Sequence, residues 1–249
     1  VLRFDDQTLP LKAMSAGKIN LQKRMDDCKR WDIESPNRYM ACVTVQVDGQ
    51  ETDRYYTPFG VREISVSREG FFLNGRRVEI KGVCNHHDLG ALGAAFNRSA
   101  LERQFRIMRE MGCNSIRTSH NPPAPELLDL ADKTGMLIMD EAFDAWAHGK
   151  REWDYNKLYE EWHEKDLEAL VRRDWNHPSV VFWSIGNEVL EQQNVEMTRH
   201  LVEIVKELDK TRPVTNGYND PNGGRASGAS MALDVMGVNY FFYEQAKWD

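Results

Sequence analysis

The run VVFWSIGNEV, Val180 to Val189, closes an apolar stretch on an amide and a carboxylate. Val180, Val181, Phe182, Trp183 and Ile185 have the character of a strand buried on both faces, the kind found in parallel sheets. Gly186, Asn187 and Glu188 fall where such a strand opens into a loop. In α/β barrels the catalytic groups sit at that carboxyl end. A Glu there can move a proton, and the Asn beside it can hold a substrate hydroxyl. Taken alone, a Glu in this position more commonly caps the next helix.

Polar side chains recur in the same way along the chain, each set after an apolar run. Asn85, His86, His87 and Asp88 follow Val83, and Arg117, Ser119, His120 and Asn121 follow Ile116. Asp140 and Glu141 follow Met139; Asn216, Tyr218 and Asn219 follow Thr215; Asn239 and Tyr240 follow Val238. If these runs are parallel strands of a barrel, their ends converge on one mouth and line one polar pocket. Each group also has a plainer use. His86, His87 and Asp88 are metal-ligand types, but one such pair without further ligand spacing is more often engaged in hydrogen bonds. Arg117 suits a substrate carboxylate, and equally suits holding a catalytic Glu ionised or oriented. Asp140 and Glu141 read first as a structural pair and second as substrate contacts. Trp146, Trp153 and Trp183 are platforms for a sugar face, although Trp183, inside a strand, reads as core or pocket wall. The KREWD run at Lys150 to Asp154 reads as a solvated loop.

The elements that must position these groups are legible. Strand candidates end at Val83, Ile116, Met139, Ile185, Thr215 and Val238, with amphipathic helices between them. Ser99 with Glu102 makes a capping box for a helix carrying Leu101, Phe105, Met108 and Met111 on one face, with Gly112 as its stop. Glu126 to Thr134 is a second helix, entered at Pro125 and left at Gly135. Leu158, Trp162, Leu167, Leu170 and Val171 mark a third, and Leu201, Ile204, Val205 and Leu208 a fourth. Strand–helix alternation implies parallel pairing with right-handed crossovers. Six such strands fit most of a (β/α)8 barrel or a doubly wound sheet. No Gly-rich phosphate loop follows the first strand, which weakens the nucleotide-binding form. The first sixty or so residues differ: Tyr39 to Val47 alternates like a half-buried strand, and Tyr55 to Val66 is strand-like but broken by Pro58 and Gly60. A short helix is conceivable only around Met25. The organisation expected is the end of an all-β sandwich over residues 1–66 and an α/β barrel over 67–249.

The chain has 249 residues, of which 41% are hydrophobic, 29% charged and 10% aromatic, as in ordinary globular proteins. A net charge of −7 argues against nucleic acid or an anionic membrane as partner. No apolar run nears the length of a membrane span, and the first residues lack the pattern of a signal peptide. The compartment, cytoplasmic or periplasmic, is left open. Cys28, Cys42, Cys84 and Cys113 show no metal-binding spacing, and buried free thiols are expected.

The motifs KGVCNHHD, IRTSHNPP, DEAFDAW, RDWNHPSVVFWSIGNE and GVNYF, in this order, resemble glycoside hydrolase family two, whose members include β-galactosidases, β-glucuronidases and β-mannosidases. TPFGVREISV resembles the junction between that family's immunoglobulin-like sandwich and its TIM barrel, and NHHDLGALGAAFN is most similar to the β-galactosidase-like branch. The resemblance covers roughly residues 30 to 249. It implies a retaining β-glycosidase, whose two carboxylates stand about 5 Å apart. The N-E pair implies Glu188 as acid/base, kept protonated by an apolar wall or a neighbouring negative charge, and Asn187 as partner of the sugar 2-hydroxyl. His120 and His86 match histidines of the sugar subsite, Arg117 the Arg at the end of the second strand, and Tyr240 a pocket tyrosine. His87, Asp88 and Asp140 are carried with them as substrate contacts. No cofactor is required by this reading; a divalent metal ion stays open with no ligands assigned. The partners expected are an oligosaccharide or β-glycoside, the remainder of a parent polypeptide and, left open, a second copy of the chain.

One departure accompanies the match. The family's nucleophilic Glu ends the seventh strand, whereas six are counted here, and Glu244 and Asp249 are the only carboxylates after Tyr240. The expectation is of a fragment lacking its nucleophile and last two βα units, inactive and prone to aggregation by itself.

Overall fold

The computed structural model describes residues 4–241. Glu244 and Asp249 lie outside them. Residues 4–38 are mostly irregular, and no helix forms around Met25. Strands β1 (Tyr39–Val47) and β2 (Gln50–Phe59) pair antiparallel, turning through Asp48 and Gly49, which both take positive φ. Val43, Val45, Tyr55 and Tyr56 of this hairpin are exposed, so the alternation that predicts β1 yields the strand without the half-burial among the described residues. Strands β3 (Ile64–Ser67), β4 (Gly70–Leu73) and β5 (Arg76–Val78) form a small antiparallel sheet.

The main sheet has six strands: β6 (Gly82–His86), β7 (Ser115–Ser119), β8 (Leu137–Glu141), β9 (Val180–Asn187), β10 (Val214–Tyr218) and β11 (Val235–Val238). All neighbours are parallel, and the spatial order is the chain order. A doubly wound sheet would reverse direction partway; an uninterrupted order is the winding of a barrel wall. The connecting helices are α1 (Arg98–Glu110), α2 (Pro125–Thr134), α3 (Asn156–Asp174), α4 (Val195–Leu208) and the short α5 (Pro221–Ser227).

The helix ends follow their residues, with two corrections. α1 begins one residue before Ser99, so its cap is Asn97, whose side chain accepts from the Ala100 N–H at 3.0 Å. Gly112 (φ 87°) and Gly135 (φ 73°) end α1 and α2 in the left-handed region that glycine enters without penalty. In α3 the expected face is displaced: Leu158 and Trp162 are exposed, and Tyr159 and His163 take the buried positions. Tyr159 lies against Phe143 and stacks on His163 with centroids 4.3 Å apart, which rotates the amino-terminal half of the helix.

Two cores result. The larger one joins strand residues Ile116, Ile138, Val180, Trp183, Ile185 and Val214 to the inner faces of α1–α4. The smaller one sits under the amino-terminal ends of β8 and β9, where Trp31, Phe71 and Leu73 pack on Leu137, Val181 and Phe182. Each such side chain contributes about 1.5–3 kcal/mol through burial. Arg62 and Arg212 both donate to the Val180 carbonyl at this end, at 2.9 and 2.8 Å. The four cysteines are free, but Cys42 and Cys84 are exposed, not buried, because β1 and the edge strand β6 each leave an open face.

Candidate active site

β9 is buried along its whole length and ends at Asn187. Glu188 follows at φ 47°, a left-handed conformation that costs a non-glycine residue about 1 kcal/mol or more. The backbone is held there by Glu188 N–H donating to the Gly217 carbonyl at 2.8 Å. α4 starts only at Val195, capped by Asn194, so Glu188 is not a helix cap. Its carboxylate is half-buried and faces the ends of β10 and β11. Oε1 accepts from Asn239 Nδ2 at 2.7 Å and Oε2 from Asn219 Nδ2 at 3.4 Å. The Tyr240 hydroxyl also bonds to Glu188, and that bond, with the carboxylate charge behind it, raises the phenol above its ordinary range. The groups around Glu188 are therefore amide and phenol donors, where the sequence reading had an apolar wall or a negative neighbour.

Asn187 is almost fully buried and every polar atom is engaged. Its Oδ1 accepts from Arg117 Nη2 at 2.9 Å and from Asn239 at 3.2 Å. Arginine can only donate, so the amide oxygen must face it and Nδ2 must face outward. Nδ2 donates one hydrogen to Asp144 at 2.9 Å, which leaves its second hydrogen directed elsewhere. Lys150 Nζ spans the back of this arrangement, donating to Asp144 at 2.7 Å and to the Asn187 carbonyl at 3.0 Å. Burial works against the Asp144 charge, but the bonds from Lys150 and Asn187 outweigh it and hold the carboxyl below its usual range.

Glu141 is the buried hub. It is fully enclosed and accepts from Arg117 Nε at 2.8 Å, from the Ser184 hydroxyl and from His120 Nδ1. Three side chains, from β9 and from β7 and the residue just past it, thus satisfy the carboxylate, and the Glu141 backbone N–H donates to Thr118 Oγ1 at 2.9 Å. The Ser119–His120 peptide is cis. His86 meets His120 edge-on with centroids 5.0 Å apart. Gly217 makes room for Arg117: a Cβ there would stand 2.7 Å from Nη2.

The structure therefore brings Arg117, His120, His86, Asn187, Glu188 and Tyr240 to one mouth, as the sequence pattern requires of a barrel. One sequence-derived candidate is elsewhere. Asp140, one residue before Glu141, points to the opposite face, is fully buried and lies against Asp174, away from the mouth. Burial first, and Asp174 second, push its carboxyl well above the usual range. His87 bonds through Nε2 with the Ala94 carbonyl, and Asp88 accepts from the Gly90 N–H; both sit in the loop after β6 and line one pocket with His86 and Ser119. Trp146 is buried, donating to the Ile185 carbonyl, and Trp183 is core, donating to Asp209; Trp153 is exposed under Lys157. Lys150 and Asp144 were not singled out as site residues. Lys150 belongs to a charged run that reads as solvated, and only the fold of the loop after β8 turns it inward. Among the described residues, no three His, Cys, Asp or Glu side chains converge at the mouth closely enough to hold a metal ion. No described helix is long and apolar enough to cross a membrane.

Comparison with known proteins gives a consistent result. The family model "Glycosyl hydrolases family 2, TIM barrel domain" matches residues 64–248, and "Glycosyl hydrolases family 2" matches residues 5–62. The chain is 48% identical over 245 residues to "Beta-galactosidase BoGH2A" of Bacteroides ovatus, covering 84% of this chain and 29% of that protein. It is 32% identical over 213 residues to the human "Beta-glucuronidase", covering 82% of this chain and 32% of that protein. A crystal structure of a glycosyl hydrolase family 2 member from Bacteroides cellulosilyticus superposes with a TM-score of 0.81 at 40% identity, over 88% of this chain and 29% of that one. The chain thus spans about a third, or less, of the length of these relatives.

Proposed function

Because this chain belongs to glycosyl hydrolase family 2, we propose that it carries the acid/base half of a retaining β-glycosidase whose substrates are β-galactosides. The supporting observation is Glu188, set beyond the end of β9 in a left-handed conformation and free of any capping role. In its protonated form Glu188 gives a proton to the glycosidic oxygen as the bond to the anomeric carbon breaks and a second carboxylate attacks that carbon. It then takes a proton from the water that cleaves the glycosyl–enzyme ester. Asn239 and Asn219 hold the carboxylate through both steps. Asn187 offers its remaining Nδ2 hydrogen to a sugar hydroxyl, oriented by Arg117 behind it and by Asp144 beside it.

The described residues supply one of the two carboxylates. Glu141 and Asp144, the others at the mouth, are each engaged by a cation, Arg117 and Lys150 respectively, and an engaged carboxylate is a poor nucleophile. The described residues alone accordingly offer no free nucleophile. The same two ion pairs bear on the sugar. Several relatives are named β-glucuronidases, but both mouth cations are spent on protein carboxylates, which favours a neutral sugar over a uronate.

The test is hydrolysis of aryl β-galactoside, β-glucuronide, β-mannoside and β-glucoside by the protein as the cell makes it, with Glu188→Gln as control. The galactoside is expected to be turned over fastest, and the substitution to lower turnover by about 10²–10⁴-fold. Fastest turnover of another glycoside would replace the sugar. Sugar binding with no turnover would make the protein a carbohydrate-binding barrel instead.

A further inference from the structure

We propose that α3 and α4 carry a transition-metal site, of the zinc class, formed by His163, Glu164 and His200 on the outside of the barrel. One ligand atom from each of the three lies within 4.8 Å of the others. They come from neighbouring helices in separate βα units, so the ion would tie α3 to α4.

The chemistry of the donors carries the assignment. His163 is 8% exposed, and its Nδ1 bonds to the Tyr159 carbonyl at 2.6 Å. A carbonyl only accepts, so Nδ1 carries the hydrogen and Nε2 carries the lone pair. Protein zinc ligands are commonly oriented in this way, with the second ring nitrogen donating to a backbone carbonyl. Stacking on Tyr159, with ring planes 6° apart, fixes the imidazole further. Among the described residues, none hydrogen-bonds to Nε2 of His163.

The other two donors are exposed and already adjacent. His200 Nε2 bonds to Glu164 Oε1 at 2.8 Å, and their side chains are 42% and 59% exposed. The two imidazoles meet edge-on, with centroids 5.8 Å apart. Closing on a tetrahedral ion requires ligand atoms about 3.3 Å apart, a short movement for the exposed pair while His163 stays in place. The metal takes the position of the hydrogen between His200 and Glu164, and the neutral imidazole then carries its hydrogen on Nδ1. Three protein ligands leave one coordination position for water. Glu160 on α3 and Glu196 and Glu203 on α4, each about one turn from a ligand, keep the surroundings negative.

The experiment is calorimetric titration of the metal-stripped protein, as the cell makes it, with zinc chloride, paired with cobalt(II) absorption as a report of tetrahedral geometry. One zinc per chain is expected, with affinity falling as the pH drops below about 6.5, where histidine protonates. At a hundredfold excess over Kd, zinc should raise the unfolding midpoint. His200→Ala, at an exposed position, should keep the fold and weaken binding at least tenfold, and Glu164→Gln should weaken it less. No binding, or binding equally tight in His200→Ala, would overturn the proposal. If His163→Ala does not fold, the His200 and Glu164 variants still decide it.

Discussion

The two ends of β8 and β9 are built from opposite materials. At the amino-terminal end, Leu137, Val181 and Phe182 pack under Trp31, Phe71 and Leu73, and Arg62 and Arg212 bind a backbone carbonyl beside the buried carboxylates of Asp132 and Asp209. At the carboxyl end, Glu141, Asn187 and Glu188 meet Arg117, His120 and Asn239. Asn187 stands five positions after Phe182, about 16 Å of strand. That length lets one end be optimised for burial while the other holds charge in fixed geometry. The division is incomplete: Glu141 is as buried as any core residue, so part of the mouth is also structural.

Arg117→Met attacks the division where it is weakest. It leaves the buried Glu141 without its strongest partner and frees the Asn187 amide, so a stability loss of about 3–5 kcal/mol is expected, with turnover down by about 10²-fold or more. Denaturant unfolding and kcat on the same sample would show both; an unchanged unfolding midpoint would mean that Glu141 is held without Arg117. Phe182→Ala is the counterpart at the other end. A similar cost of about 3–5 kcal/mol is expected from the cavity, with kcat and KM unaltered. A change in either constant would show that the lower core transmits to the mouth.

Lys150→Met should do the reverse on a smaller scale. Turnover is expected to fall about tenfold, from loss of one charge-assisted bond to Asp144, while the thermal midpoint moves little because Lys150 remains near solvent. Turnover matching the parent would return Lys150 to the solvated loop. Asp140→Asn should have the smallest effect at neutral pH. The folded carboxyl of Asp140 is raised above its unfolded value, so its contribution is most favourable in acid and is lost as the pH rises from about 4 through the folded pKa. Asn carries no such charge, so the variant should be no less stable than the parent at pH 8 and should flatten the decline of stability with rising pH. A steeper decline would reverse the assigned direction.

Much of this was readable in advance. Apolar residues followed by polar sets mark all six strand positions, although only β9 reads as a long apolar run buried on both faces. Gly112, Pro125 and Gly135 mark helix ends because backbone geometry restricts what can stand there. The Asn97 cap was missed because Ser99 and Glu102 match a capping pattern equally well in the letters. The face of α3 was misplaced because Leu158 and Trp162 keep the helical period, while Tyr159 and His163 bury through a stack that periodicity does not encode.

At the mouth, the residue types after each strand were enough to nominate Arg117, His120, Asn187 and Glu188, since chain order and parallel pairing force them together. Asp140 and Glu141 could not be told apart. Adjacent strand residues face opposite sides, and two carboxylates give no sign of which side is which. By itself the sequence determined the strand and helix order, the end of the sheet where chemistry gathers, and the family to which the motifs belong. The first two depend on local periodicity and on residue types fixed by backbone geometry, and the family on the resemblance of whole motifs. Only the tertiary structure decided which carboxylate is neutralised, which way the Asn187 amide turns, and that Lys150 reaches inward to Asp144. Each of those is settled by side chains from separate strands and loops meeting within hydrogen-bond distance.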